Sequence, residues 1–163
     1  MAAERELADL LMAELLPAWR VREALIAVMP EGWSLVDVYD VWVGGQALAG
    51  RVVAADYRIE LPGVTDPTAL AAAAEHLLVA SRLPRVRPKG DGSVTYDLRP
   101  LLAEVAVERV GPGASLRVRT RIHPTFGTGR PEEVVAALGD RVGRPLAIRA
   151  IVRERLVLAD GST

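Results

Sequence analysis

An α+β fold is predicted, with helices on one face of antiparallel sheets, and three observations predict it. Between residues 94 and 122 apolar and polar side chains alternate with a period of two, and a Gly111-Pro112-Gly113 reversal interrupts them. Two segments carry helical spacing, one behind Asp66-Pro67 and one behind Pro131. Strand and helix patterns follow each other as β-α-β, then β-α-β-β-β-α-β.

Taken in order, residues 8–15 form an apolar segment in which Leu10, Leu11, Met12 and Leu15 fit neither period cleanly, and it is read as a strand. Pro17 precedes an amphipathic helix with Val21, Ala24, Leu25 and Val28 at helical spacing, closed by Pro30-Glu31-Gly32. Residues 33–43, rich in aromatic and β-branched side chains, read as a strand, and 44–50 as a flexible joint. A partial β-α-β unit with its joint therefore occupies residues 1–50, and residues 51–163 form a second unit.

The second unit opens with a strand over 53–61, where Tyr57, Ile59 and Leu61 alternate with Arg58 and Glu60. Asp66 is an N-cap, and Leu70, Ala73, Ala74, Leu77 and Leu78 mark the buried side of a helix reaching about Ser81. A strand over 83–88 follows, with Arg85, Arg87 and Lys89 on one side, and Gly90-Asp91-Gly92 turns it into the strand at Val94. In the strand from Leu116, Leu116, Val118 and Ile122 share one face, while Arg117, Arg119 and Arg121 share the other. Glu132 and Glu133 favour the dipole at the start of a helix that Gly139 ends. In the long last strand Leu146, Ile148, Ala150, Val152, Leu156 and Leu158 face one way, and Arg149, Arg153 and Arg155 the other. This order is that of ferredoxin-like folds, with one complete unit preceded by a partial one.

Composition sets the outer bounds. The 163 residues, half of them apolar, can bury a core large enough to fold unaided. A net charge of -1 argues against nucleic-acid binding through bulk positive charge, so any anion must be held by local clusters. With no cysteine there is no disulfide, thiolate zinc site, catalytic thiol or cysteine-ligated cluster in the chain, which suits the cytosol. No apolar run approaches the roughly twenty residues of a membrane span, so a cytoplasmic protein without a membrane partner is expected. Lys89 is the only lysine, a bias that coding composition can produce without selection for guanidinium chemistry.

Three segments carry a resemblance. Ala55-Asp56-Tyr57-Arg58-Ile59, Tyr96-Asp97-Leu98-Arg99-Pro100 and Arg130-Pro131-Glu132-Glu133-Val134, in this order and spacing, resemble the radical-SAM-linked family of bacterial proteins, a domain of unknown function. The resemblance covers about residues 8–158 and rests on structural rather than catalytic motifs. It implies an accessory role beside a radical-SAM protein that carries a cobalamin-binding-like region, and it brings no activity to transfer. Family members begin with a further strand and helix and an Asn-Pro-His-Pro-type segment that nothing here matches. The resemblance thus implies that residues 8–43 are the latter half of a first unit, in a truncated or shortened member.

Two groups of residues are candidate sites, and neither is catalytic. Arg85, Arg87, Arg117, Arg119, Arg121, Arg149, Arg153 and Arg155 could join as a cationic plate for RNA or a partner, held by bidentate hydrogen bonds. Against this, Glu60, Asp97 and Glu108 also point outward, and cross-strand ion pairs are the ordinary way to solvate a sheet. The loop from His123 to Arg130, with Gly127, Thr128 and Gly129, enters a helix N-terminus and could hold the anionic group of a small metabolite. It lacks the spacing and lysine of a phosphate-binding loop, and Pro131 removes a donor. His76 and His123 have no companions at metal-ligand spacing, so no metal and no cofactor is expected in this chain.

The functional expectation is a non-catalytic accessory or substrate-recognition domain of a radical-SAM protein, with RNA as a candidate substrate. The alternative is a small enzyme or binding module for an anionic metabolite at residues 123–130. Self-association through residues 8–43 is also expected, because a fragment with an edge strand leaves backbone groups and apolar surface uncovered.

Overall fold

The computed structural model describes residues 2–41 and 44–160; Met1, Trp42, Val43, residues 161–163 and the side chain of Lys89 lie outside the description. The chain divides into two compact units, Ala8–Leu48 and, together, Met1–Leu7 with Ala49–Thr163.

The larger unit is a mixed α+β domain. Its strands are β1 (Ala2–Ala3), β2 (Val52–Leu61), β3 (Pro84–Lys89), β4 (Gly92–Asp97), β5 (Leu102–Val110), β6 (Gly113–His123), β7 (Gly127–Thr128) and β8 (Ala150–Leu158). A six-stranded mixed sheet runs in the order β1-β8-β2-β6-β5, with β7 paired to the end of β6. All its pairings are antiparallel except that of β1 with β8, which is parallel. β3 and β4 form a separate two-stranded hairpin. No helix among the described residues is long and apolar enough to cross a membrane.

The predicted patterns explain the core. Tyr57, Ile59 and Leu61 of β2, Leu116 and Val118 of β6 and Val105 of β5 are buried in one cluster with residues of two helices. The helix α3 (Pro67–Val79) starts where expected, because the Asp66 carboxylate accepts the Ala69 N–H at 2.9 Å, and it buries Leu70, Ala73, Ala74 and Leu77. The helix α4 (Pro131–Val142) carries Glu132 and Glu133 in its first turn and buries Val134, Val135, Ala137 and Leu138. Both helices thus lie against one face of the sheet, as the alternation requires.

Four expectations are corrected. Gly139 does not end α4; Gly143, left-handed at φ 74°, caps it, and Gly139 sits inside because a Cβ there would lie 2.9 Å from the Arg144 carbonyl oxygen. The stretch from Val94 to Val110 is not one strand, because a 3-10 turn over Arg99–Leu101 separates β4 from β5. The last strand begins at Ala150, so Leu146 and Ile148 precede it.

The fourth correction concerns the smaller unit, which holds one helix of three turns, α1 (Ala18–Val28); a short α2 (Leu48–Arg51) begins at its last residue. The strands expected at 8–15 and 33–43 do not form over 8–15 and 33–41, and Trp42 and Val43 lie outside the described residues. β-propensity measures how well a side chain fits a paired, half-buried surface, and these segments meet no pairing strand. Not one described residue of this unit is buried. Leu11, Leu15, Trp19, Val28, Trp33, Val36 and Tyr39 stand exposed, with Leu15 fully so.

Candidate functional site

The arginines expected to form one plate are divided among three places, and strand register decides which. On β6, Arg117, Arg119 and Arg121 alternate with buried Val118 and Thr120 and point away from the helices. Arg119 stands opposite Asp56 and donates from Nε and Nη2 to its two carboxylate oxygens at 2.6 and 2.9 Å. Arg155 adds a third hydrogen bond to Asp56 at 2.6 Å. The bonds from Arg119 hold the Asp56 carboxyl below its ordinary range; burial opposes them and Arg155 assists. Arg117 pairs with Glu108 at 3.2 Å, and Arg149 donates to Glu60 at 2.7 Å. Arg121 donates to the carbonyl oxygens of Pro100 and Leu102. Arg58, on the same face, is held by Glu154 and Glu4 at 2.8 and 2.7 Å. This face is a lattice of opposite charges, the arrangement that solvates an ordinary sheet surface.

Arg153 lies elsewhere. In the ladder between β2 and β8, Asp56 faces Arg155 and Tyr57 faces Arg153, so the register shifts by one residue at Glu154. That bulge reverses the alternation and turns Arg153 to the side of Tyr57 and the core, away from Arg155. Arg153 there forms a bidentate pair with Glu6 at 2.8 and 2.6 Å.

Arg85 and Arg87 occupy a third place, on the β3-β4 hairpin beside α4. Arg85 binds Asp140 and, at 3.5 Å, Glu133. Arg87 lies with its guanidinium carbon 4.8 Å from the centre of the Tyr96 ring. Its Nη2 is also 3.9 Å from where a Cβ on Gly127 would stand. The hairpin therefore brings Arg87 onto the loop of residues 123–130, a meeting that sequence order did not suggest.

Within that loop several backbone donors are committed. His123 Nδ1 accepts the N–H groups of Thr125 and Phe126 at 3.1 and 3.3 Å, which leaves the ring proton on Nε2. His123 and Gly127 pair as strand neighbours, as do Ile122 and Thr128, and the Gly129 N–H donates to the Arg121 carbonyl oxygen at 3.0 Å. Gly129 is buried, and a Cβ there would meet the Leu101 carbonyl oxygen and Thr120 at 2.8 Å. Gly129 thus serves the packing of the loop, and the N–H groups of Thr125, Phe126 and Gly129 are bonded within the protein. Arg130 is exposed at the N-cap of α4. Phe126, which sequence reasoning did not single out, stacks on His123 with ring centres 4.6 Å apart and is 49% exposed. As the one phenylalanine of the chain, set in a turn and not on a core face, it was the available signal.

Tyr96 closes the group. Burial and then Glu133 push its phenol up, against the charges of Arg87, Arg85 and Arg130. Its hydroxyl is buried without a hydrogen-bonding partner among the described residues. His76 is exposed on α3. No group of three or more metal-ligating side chains occurs among the described residues.

The motifs of the sequence also find their roles. Asp97 accepts the N–H groups of Leu83 and Arg99 at 2.7 and 3.0 Å. Arg99 donates to the carbonyl oxygens of Leu78, Ala80 and Leu102, tying the end of α3 to the start of β5. Fold and site together define a mixed α+β domain with a charge-paired sheet face and a small apolar-surfaced unit. The chain belongs to a bacterial family described as uncharacterized protein conserved in bacteria (DUF2344), whose model matches residues 1–134. No curated protein and no solved structure matches it.

Proposed function

We propose that the chain is a non-catalytic accessory or substrate-recognition domain of a cytoplasmic radical-SAM protein. One observation carries the partner-binding part: the unit Ala8–Leu48 buries none of its described residues and presents Trp19, Trp33, Val36 and Tyr39 to solvent. Apolar surface of this kind is what a protein interface covers. The choice of partner rests on the three motifs through which the sequence resembles the radical-SAM-linked family. The order β8-β2-β6-β5 with two helices on one face supports the ferredoxin-like reading of the larger unit. The metabolite alternative needs free donors in the loop from His123 to Arg130, and the N–H groups of Thr125, Phe126 and Gly129 are already bonded within the protein.

Copurification from the native cell at native abundance tests this reading. A radical-SAM protein should accompany the tagged chain, and substituting Trp19 and Trp33 by Ser should release it. Recovery of the chain alone would overturn the proposal.

A further inference from the structure

We infer that Phe126, Arg87 and Arg130, with His123 behind them, form a contact site for single-stranded nucleic acid at the junction of the β3-β4 hairpin and the loop before α4. The site rests on the substrate-recognition reading for its biological purpose, but its chemistry stands by itself. Nearly every arginine of the sheet face is neutralised by a carboxylate or held by carbonyl oxygens. Arg87 and Arg130 differ: among the described residues neither is paired with a carboxylate. Arg87 is held by the Tyr96 ring, which orients a guanidinium without consuming its hydrogen bonds. Arg87 reaches Gly127, and Arg130 lies a few residues further along the same loop.

The second element is a stacking surface. Phe126 is half exposed and rests at an angle of 36° on the His123 ring, whose Nδ1 is fixed by two backbone donors. An aromatic ring held from behind offers its outer face at little entropic cost. Gly127, left-handed at φ 85°, follows Phe126 directly and brings the loop under Arg87. An unpaired guanidinium at Gly127, the residue next to an exposed ring, matches the repeating unit of a single strand, a charged phosphate followed by a flat base. The commoner sheet-face mode, with aromatics on the central strands, is closed here because Tyr57 is buried in the core.

Fluorescence anisotropy with labelled oligouridylate and oligothymidylate of about ten nucleotides tests the site on the full chain. Wild type should bind. Phe126→Ala should weaken binding about tenfold and leave its salt dependence intact, because stacking releases no counterions. Arg87→Ala with Arg130→Ala should weaken binding and flatten the logarithmic salt slope by about 1.4, or roughly 0.7 per phosphate contact on a single strand. Arg130→Ala alone, at an exposed position, should show half that change with an unaltered circular dichroism spectrum. Arg117→Ala, on the opposite face, should bind as wild type does. Equal binding of both oligonucleotides assigns recognition to base and phosphate, and preference for the ribose form adds the 2′-hydroxyl. Absence of wild-type binding, or binding indifferent to Phe126, Arg87 and Arg130, overturns the inference. Because the oligonucleotide assay needs no partner, capture of a radical-SAM protein without oligonucleotide binding would sink this site and leave the accessory reading standing.

Discussion

Asp56 and Arg119 face each other across β2 and β6, and both carboxylate oxygens of Asp56 receive a hydrogen bond from the same guanidinium. Arg155 reaches the same carboxylate from the other neighbouring strand, so one side chain joins three consecutive strands of the sheet. With its carboxyl lowered in the fold, the stability Asp56 contributes is complete above the unfolded value of 3.8 and is lost as pH falls through the folded one. Urea midpoints should therefore fall in that acid window. Asp56→Asn should lose about 1–3 kcal/mol at neutral pH and show a shallower acid dependence. A variant with the wild-type profile would assign the acid transition to other carboxyls.

Alanine should destabilise both Gly139, inside α4, and Gly143, its C-cap, but for different reasons. Asn at Gly143 keeps a residue that tolerates the left-handed cap, whereas Ala there should cost about 1 kcal/mol. Gly139→Ala drives a methyl group against the Arg144 carbonyl oxygen and should cost about 1–3 kcal/mol despite the better helix propensity of alanine. Denaturant titrations measure both, and a stabilised Gly139→Ala would show that the segment after α4 moves freely away.

In the absence of a partner the isolated chain should associate with itself through residues 8–43. Light scattering across a dilution series should give a mass that falls toward the monomer. Trp19 and Trp33, at 62% and 65% exposure, should become open to acrylamide over the same range. A monomeric mass at every concentration would rule out self-association as the way this surface is covered.

Local signals were legible wherever one element decides its own fate. Asp66 and Pro67 announced α3, and the alternation along β6 separated Leu116 and Val118 from the arginines. Features set by a neighbour were not legible. The bulge at Glu154 depends on how β8 registers with β2, so no inspection of β8 alone could separate Arg153 from Arg155. Residues 33–41 have the composition of a strand but lack a strand to pair with. The approach of Arg87 to Gly127 joins positions far apart in the chain through the placement of a hairpin, which periodicity does not encode.

The position of β8 between β1 and β2 also bears on how the molecule is made. Both neighbours leave the ribosome well before it. At the usual pace of translation, about 5–20 residues per second, the nascent chain spends several seconds with β2 synthesised and its β8 edge unfilled. Once β6 has been made, Asp56 can reach Arg119 but not yet Arg155, and until β8 follows Ala2 and Ala3 have no strand to join. The larger domain can therefore close only after β8 has been made. A ribosome stalled before Ala150 would display an open sheet edge, a natural target for chaperones.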